Sequence, residues 1–303
     1  MLPDAGPMML TGLYVPLVTP FDDKGEVALT ALEALAHDVL DGGAAGLVAL
    51  GTTAEPSSLS SGERRAVVDV VAGVCRTRSA RLLVGAATAE ALAALRGRPE
   101  VTAALTLVPP FVRPGEDGVI AYLTSLAAVS PVPLVVYHVP YRTGQRLSPG
   151  AVLRLAALPG VAGMKYAVGG IDADTVALLA DLPPGFALLG GDDVVVSPLL
   201  ALGAHGGVLA SAHLRTAEFA ELIDAWRAGD AVRARPLGHR LAALSAALFA
   251  EPNPAVVKAV LHAQGRIPTP AVRLPLLPAS PGALRSALRH AGHDVEPVAA
   301  GRA

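Results

Sequence analysis

Short, almost wholly apolar runs alternate along this chain with longer stretches in which apolar residues recur every three or four positions. The runs are Gly12–Val18, Gly46–Leu50, Arg81–Gly85, Ala104–Val108, Leu134–Tyr137, Val161–Lys165, Ala187–Gly190 and Gly207–Ala210. Runs of this length without polar alternation predict strands buried on both faces, as in a parallel sheet. The stretches between them predict crossover helices. Thr30 to Leu40 closes on Gly42-Gly43, and Ser60 to Val74 opens on Ser60-Ser61-Gly62-Glu63, the spacing of a capping box. The helical stretch from Thr88 to Arg96 is short.

Eight strands, each with a following helix, predict an α/β fold of the (β/α)8 TIM barrel type. A doubly wound open sheet fits less well, because no G-x-G-x-x-G follows the first strand. The barrel core is expected over residues 10–214. Residues 215–292 are too many for one last helix. They read as helices at Ala217–Ala228, Ala231–Phe249, Ala255–Gln264 and Pro281–Ala291, a C-terminal helical extension of the same unit. Residues 1–9 and 296–303 read as tails.

Composition narrows the function classes. The 303 residues are 52% hydrophobic and 17% charged with a net charge of −2, so the chain can bury a core and is not disordered. It has no basic excess to hold a phosphate backbone, which argues against a nucleic-acid partner. Val119–Tyr141 and Val194–Leu214 carry no charge, but the first is cut by Ser130-Pro131-Val132-Pro133 and the second by Pro198, Gly203, Gly206 and Gly207. Each therefore predicts a helix, a turn and a buried strand, not a membrane span. The opening MLPDAGPMML has an acid and no base before its apolar residues, unlike a secretory signal. A lone cysteine, Cys75, permits no internal disulfide framework, and a cytoplasmic location is expected.

Chemistry in such a barrel sits at the C-terminal ends of the strands. Those ends carry Gly51-Thr52-Thr53, Pro109-Pro110-Phe111, Tyr137, Lys165 and Gly191-Asp192-Asp193. Lys165 is the sharpest signal. Only three of the 24 basic residues are lysines, Lys24, Lys165 and Lys258, and one of them closes a barrel strand. A buried lysine can lose its proton and attack a carbonyl, which an arginine cannot do. A lysine there can equally reach out to solvent or pair with a carboxylate. Tyr137, on the strand before, is either an amphipathic core residue or a hydroxyl acid/base. Gly51-Thr52-Thr53 offers N–H groups and two hydroxyls to a small anion, yet is also an ordinary strand-to-helix turn.

Other chemistries find no support. The eight histidines show no metal-ligand spacing, so no metal is expected. Asp192-Asp193 suits a helix N-cap better than a divalent ion. Neither a Gly-x-Ser-x-Gly elbow nor a P-loop is present.

Taken jointly, several segments resemble the dihydrodipicolinate synthase / N-acetylneuraminate lyase family of class I pyruvate aldolases. They are Pro16-Leu17-Val18-Thr19-Pro20-Phe21, Gly51-Thr52-Thr53-Ala54-Glu55, Tyr137-His138-Val139-Pro140-Tyr141-Arg142-Thr143-Gly144, Gly163-Met164-Lys165 and Gly190-Gly191-Asp192-Asp193. Phe249-Ala250-Glu251-Pro252-Asn253-Pro254, Val257-Lys258 and Arg273-Leu274-Pro275 extend the match, which runs from about Thr11 to Gly292. Arg142-Thr143-Gly144 and Glu251-Pro252-Asn253-Pro254 resemble the synthase branch. The resemblance implies a lyase that condenses pyruvate with L-aspartate semialdehyde on the diaminopimelate route to lysine. It implies a Schiff base on Lys165, with no other cofactor, and a homo-oligomer, dimer or tetramer. By the same resemblance Tyr137 carries protons to and from the adduct and Thr52 belongs to the proton relay. Thr53 binds the pyruvate carboxylate, Arg142 holds the carboxylate of the semialdehyde, and the backbone of Val208 helps bind pyruvate.

The chain also departs from the family pattern. Where the synthases carry a tyrosine that reaches a neighbouring subunit's site, this chain has Phe111, which keeps the ring and cannot pass a proton. The family's Gly-x-Gly-Ala/Ser-Asn turn, part of a lysine feedback site in some synthases, is here Gly85-Ala86-Ala87-Thr88. Tyr141 and Tyr166 stand where smaller or acidic residues are usual. Three readings follow: the synthase, another pyruvate-dependent aldolase with a different aldehyde, and a pyruvate-binding barrel without turnover. Intact Lys165, Tyr137, Thr52 and Thr53 count against the third.

Overall fold

The computed structural model describes residues 9–292 of the chain. Eight parallel strands form one closed barrel in sequence order. They are β1 (Gly12–Pro16), β2 (Gly46–Ala49), β3 (Arg81–Gly85), β4 (Val101–Leu107), β5 (Leu134–His138), β6 (Val161–Tyr166), β7 (Ala187–Gly190) and β8 (Gly206–Val208). The closing pair aligns Gly12, Leu13 and Tyr14 of β1 with Gly206, Gly207 and Val208 of β8. Fold class and strand order are those that the alternation predicts.

Strand side chains point alternately inward and outward. Tyr14, Val48, Leu83, Leu105, Val135 and Leu189 fill the barrel itself. Their neighbours Val15, Leu47, Leu82, Val136, Met164 and Leu188 pack outward against the helices. That two-sided burial explains the unbroken apolar runs.

Strands β3 and β7 have the expected bounds, and the other six differ at one or both ends, β4 and β8 most instructively. β4 begins at Val101, not Ala104, because the Thr102 hydroxyl accepts the Leu82 N–H at 3.2 Å and spans an irregularity in the β3–β4 register. β8 is shorter than Gly207–Ala210, since Ala210–His213 turns at once into a 3-10 helix. The second crossover helix, Ser61–Arg78, carries both bonds of the expected capping box. Glu63 N–H donates to Ser60 Oγ at 3.2 Å, and Ser60 N–H donates to Glu63 Oε2 at 2.7 Å. This helix outruns its expected end at Val74 until Ser79 takes a left-handed conformation, φ 51°.

Beyond β8 come helices Thr216–Arg227, Ala231–Leu248, Ala255–Ala263 and Pro281–His290. This extension is tied to the top of the barrel. Arg273 pairs with Glu63 at 2.6 Å, and the Thr269 hydroxyl donates to the Phe21 carbonyl at 2.7 Å. The expected tails, 1–9 and 296–303, lie outside the described residues except for Met9, whose carbonyl accepts from Arg81 at 3.2 Å. Among the described residues, no helix is long and apolar enough to cross a membrane, and no cluster of three His, Cys, Asp or Glu is placed to hold a metal.

Candidate active site

The C-terminal mouth of the barrel holds a cavity of about 350 Å³. Lys165, Tyr137, Thr52, Thr53, Arg142 and Val208 all line it. Six residues that the sequence spreads over 157 positions thus meet in one place.

Strand register sets the centre. Tyr137 on β5 and Lys165 on β6 are direct partners, so both point inward at one level. The Lys165 ammonium lies 4.3 Å from the centroid of the Tyr137 ring. Only 5% of Lys165 is exposed. Gly191 makes room for it, because a Cβ there would stand 2.8 Å from Lys165 Cγ and Cε. Burial pulls the Lys165 pKa down to about 8, against the pull of the Asp193, Tyr141 and Asp192 charges, which raise it. An amine near 8 exists partly as the neutral nucleophile close to neutral pH.

Burial likewise raises the Tyr137 phenol above its ordinary value, opposed by the Arg142 guanidinium and by a hydrogen bond with the Thr52 hydroxyl. A protonated phenol bonded to a second hydroxyl can shuttle a proton to and from an adduct on the lysine.

Thr52 and Thr53 sit on the 3-10 turn Thr52–Ala54 that follows β2. The turn is clamped from several sides. Thr19 Oγ1 donates to the Ala54 carbonyl at 2.8 Å. Buried Glu55, in the left-handed region at φ 55°, receives Lys258 Nζ at 2.9 Å and the Arg273 N–H at 2.8 Å. Thr53 accepts from Asn253 Nδ2 at 3.0 Å.

Arg142 lies on the short helix Pro140–Thr143 after β5 and is exposed at the rim. Its Nε donates to the Tyr141 hydroxyl at 2.9 Å, and its guanidinium carbon lies 5.3 Å from the Tyr141 ring centroid. Two nitrogens of the fork stay available for a carboxylate.

Asp192 and Asp193 do not act as the expected N-cap, since neither side chain caps the 3-10 helix Asp193–Val195. Asp192 accepts the Gly169 N–H and Asp193 the Ser211 N–H, each at 2.6 Å. These bonds draw the loops after β6 and β8 toward β7. Burial raises Asp193 to about 6, against the Ser211 bonds and the Lys165 charge. The two aromatic departures separate as well. Tyr141 lines the cavity, whereas Tyr166 alternates outward and meets Thr175 Oγ1 at 3.1 Å in the helical layer.

Sequence reasoning gave no role to Asn253, although it lines the cavity. Its signals were a polar side chain held between Pro252 and Pro254 and the place of that segment in the family resemblance. Phe111 stands apart from the cavity, 89% exposed.

The model of the Dihydrodipicolinate synthetase family matches residues 9–290. The chain is 37% identical to a 4-hydroxy-tetrahydrodipicolinate synthase of Synechococcus elongatus over 271 residues, 87% of this chain and 89% of the relative. It is 34% identical to the enzyme of the same name from Neisseria meningitidis serogroup B, over 94% of this chain and 99% of the relative. Among solved structures it resembles the chloride-inhibited dihydrodipicolinate synthase of Acinetobacter baumannii complexed with pyruvate. That match has a TM-score of 0.88 and 32% identity, and covers 94% of this chain and 99% of the other.

Proposed function

This chain belongs to the dihydrodipicolinate synthetase family, and from that premise we propose that it is a 4-hydroxy-tetrahydrodipicolinate synthase, condensing pyruvate with L-aspartate semialdehyde. The observation that carries the reading is the convergence of Lys165, Tyr137, Thr52, Thr53 and Arg142 on one cavity. Neutral Lys165 attacks the ketone carbon of pyruvate, and loss of water gives the imine. Tyr137, coupled to Thr52, takes up and returns the protons of that step and of enamine formation at the methyl carbon. The enamine carbon then bonds to the aldehyde carbon of the acceptor. The acceptor's own amine displaces Lys165, closing the ring and freeing the lysine. Thr53 and the backbone at Val208 hold the pyruvate carboxylate, and Arg142 holds that of the semialdehyde. The chemistry needs no cofactor beyond Lys165.

A second reading, a related aldolase with a different aldehyde, is favoured by Phe111, which has no hydroxyl to offer a relay. Phe111 and Val112, 89% and 73% exposed, form an apolar tip suited to a second copy of the chain, and we propose a homo-oligomer, dimer or tetramer. The buried thiol of Cys75 suits a reducing cytoplasm, where we place the enzyme. Borohydride trapping with pyruvate, followed by turnover assays with aspartate semialdehyde and other aldehydes, tests the assignment. An unmodified Lys165 would overturn the Schiff-base reading. Trapping at Lys165 without turnover of the semialdehyde would favour the second.

A further inference from the structure

Asn253 enters the cavity from outside the barrel. It lies between the extension helices Ala231–Leu248 and Ala255–Ala263, yet its Nδ2 donates to Thr53 Oγ1 at 3.0 Å across 200 residues of sequence. A threonine hydroxyl has one proton and two acceptor sites. Because the amide occupies an acceptor site on Thr53, the proton must point elsewhere. Among the described residues Thr53 Oγ1 donates to no protein acceptor, in contrast to Thr19, whose hydroxyl is spent on the Ala54 carbonyl. Thr53 is almost fully buried and lines the cavity, so its proton is left for whatever the cavity holds.

The amide is a poor choice on grounds of stability. Asn253 Oδ1 is buried and accepts from no group among the described residues, so the side chain leaves a carbonyl oxygen unpaired. An unpaired buried acceptor is costly, and a small apolar side chain would avoid that cost. The turn carrying Thr53 is already clamped at Glu55 by Lys258 and by the Arg273 N–H, so the amide is not needed to hold its backbone.

We infer that Asn253 is a positioning residue that fixes Thr53 as an obligate hydrogen-bond donor toward the carboxylate of the bound keto acid. It acts through Thr53 and touches none of the reacting atoms. The inference deepens the reading of Thr53 as a carboxylate-binding residue and rests on it.

The test is a double-mutant cycle on pyruvate binding, read by calorimetry on Asn253→Ala, Thr53→Val and the double variant, with thermal melting as a check on folding. Asn253→Ala should weaken pyruvate binding by roughly tenfold in the parent background. It should raise KM more than it lowers kcat. In the Thr53→Val background it should change binding by less than twofold. Equal effects in both backgrounds would overturn the inference, because the amide would then act without Thr53. No effect in the parent would overturn it too. Asn253→Ser repeats the cycle if the alanine variant does not fold. Borohydride trapping of the parent separates the two levels. Binding of pyruvate without trapping defeats the Schiff-base reading while the cycle still decides Asn253, and absence of pyruvate binding defeats both.

Discussion

The ammonium of Lys165 sits over the face of the Tyr137 ring, 4.3 Å from its centroid, with the two residues paired across adjacent strands. The ring face favours the charged amine, whereas burial disfavours it more strongly. The balance leaves Lys165 near 8 instead of 10.5, while the same burial keeps the phenol protonated. One strand register thus supplies a nucleophile and an acid side by side. Lys258 shows that burial alone is not enough. It too is lowered to about 8, but its Nζ is committed to Glu55 and does not line the cavity.

The pH profile of adduct formation follows from these charges. The neutral amine is the attacking form, so the rate of borohydride-trapped adduct should rise with pH and level off above about 8. Asp193 is ionised in that range, and its charge raises the Lys165 pKa. Asp193→Asn removes that charge while keeping an acceptor for the Ser211 N–H. Its midpoint should therefore move to lower pH. A midpoint that stays or rises, measured by mass spectrometry of quenched samples, would show that Asp193 does not act on Lys165.

Tyr137→Phe tests the proton carrier. The variant keeps the ring under the ammonium, so pyruvate binding should survive. Loss of the hydroxyl should lower kcat by roughly 10²–10⁴-fold, the usual worth of a positioned acid/base. An unchanged kcat would transfer the role to Tyr141, the other phenol on the cavity.

Lys258→Met should separate structure from chemistry. Pyruvate and borohydride should still label Lys165. The fold, however, should lose about 3–5 kcal/mol, because Glu55 remains buried without its cation. Urea denaturation measures the loss. A label on Lys258 in the parent, or a fully stable variant, would contradict this division of labour.

Much of this was legible in the sequence because barrel strands announce themselves as apolar runs and their last residues form the site. Tyr137 and Lys165 stood out as polar residues closing such runs. Asn253 did not, because its partner Thr53 lies 200 residues away and no periodicity reports a contact of that range. Asp192-Asp193 resembled a cap locally, and only the return of β6 and β8 beside β7 shows which N–H groups the carboxylates serve. The alternation rule does sort Tyr166 outward, but its partner Thr175 comes from the packing of the next helix.

The acceptor end depends on Arg142. Arg142→Ala should impair use of aspartate semialdehyde and spare the pyruvate adduct, since only the guanidinium fork is removed. Tyr141→Phe, which frees Nε from its 2.9 Å bond, should raise KM for the semialdehyde more modestly. Steady-state kinetics with the acceptor varied at saturating pyruvate distinguishes the two. Equal activity of Arg142→Ala and the parent would point to a different acceptor.

Phe111 decides between the two aldolase readings. Its backbone is held at φ 69° and its N–H donates to the Thr143 carbonyl at 3.3 Å, which anchors the loop beside Arg142. The ring itself is exposed and does not line the chain's own cavity, so any part it takes in a relay would be played in a neighbouring copy of the proposed oligomer. A ring without a hydroxyl should slow proton transfer more than it weakens binding. The parent should therefore bind pyruvate well yet turn over aspartate semialdehyde slowly. Phe111→Tyr should raise kcat by roughly tenfold, equivalent to about 1.4 kcal/mol off the barrier. No gain from the hydroxyl, together with fast turnover of another aldehyde by the parent, would mean that the site is complete without it. Phe111 would then pack beside an acceptor other than aspartate semialdehyde, and the second reading would replace the first.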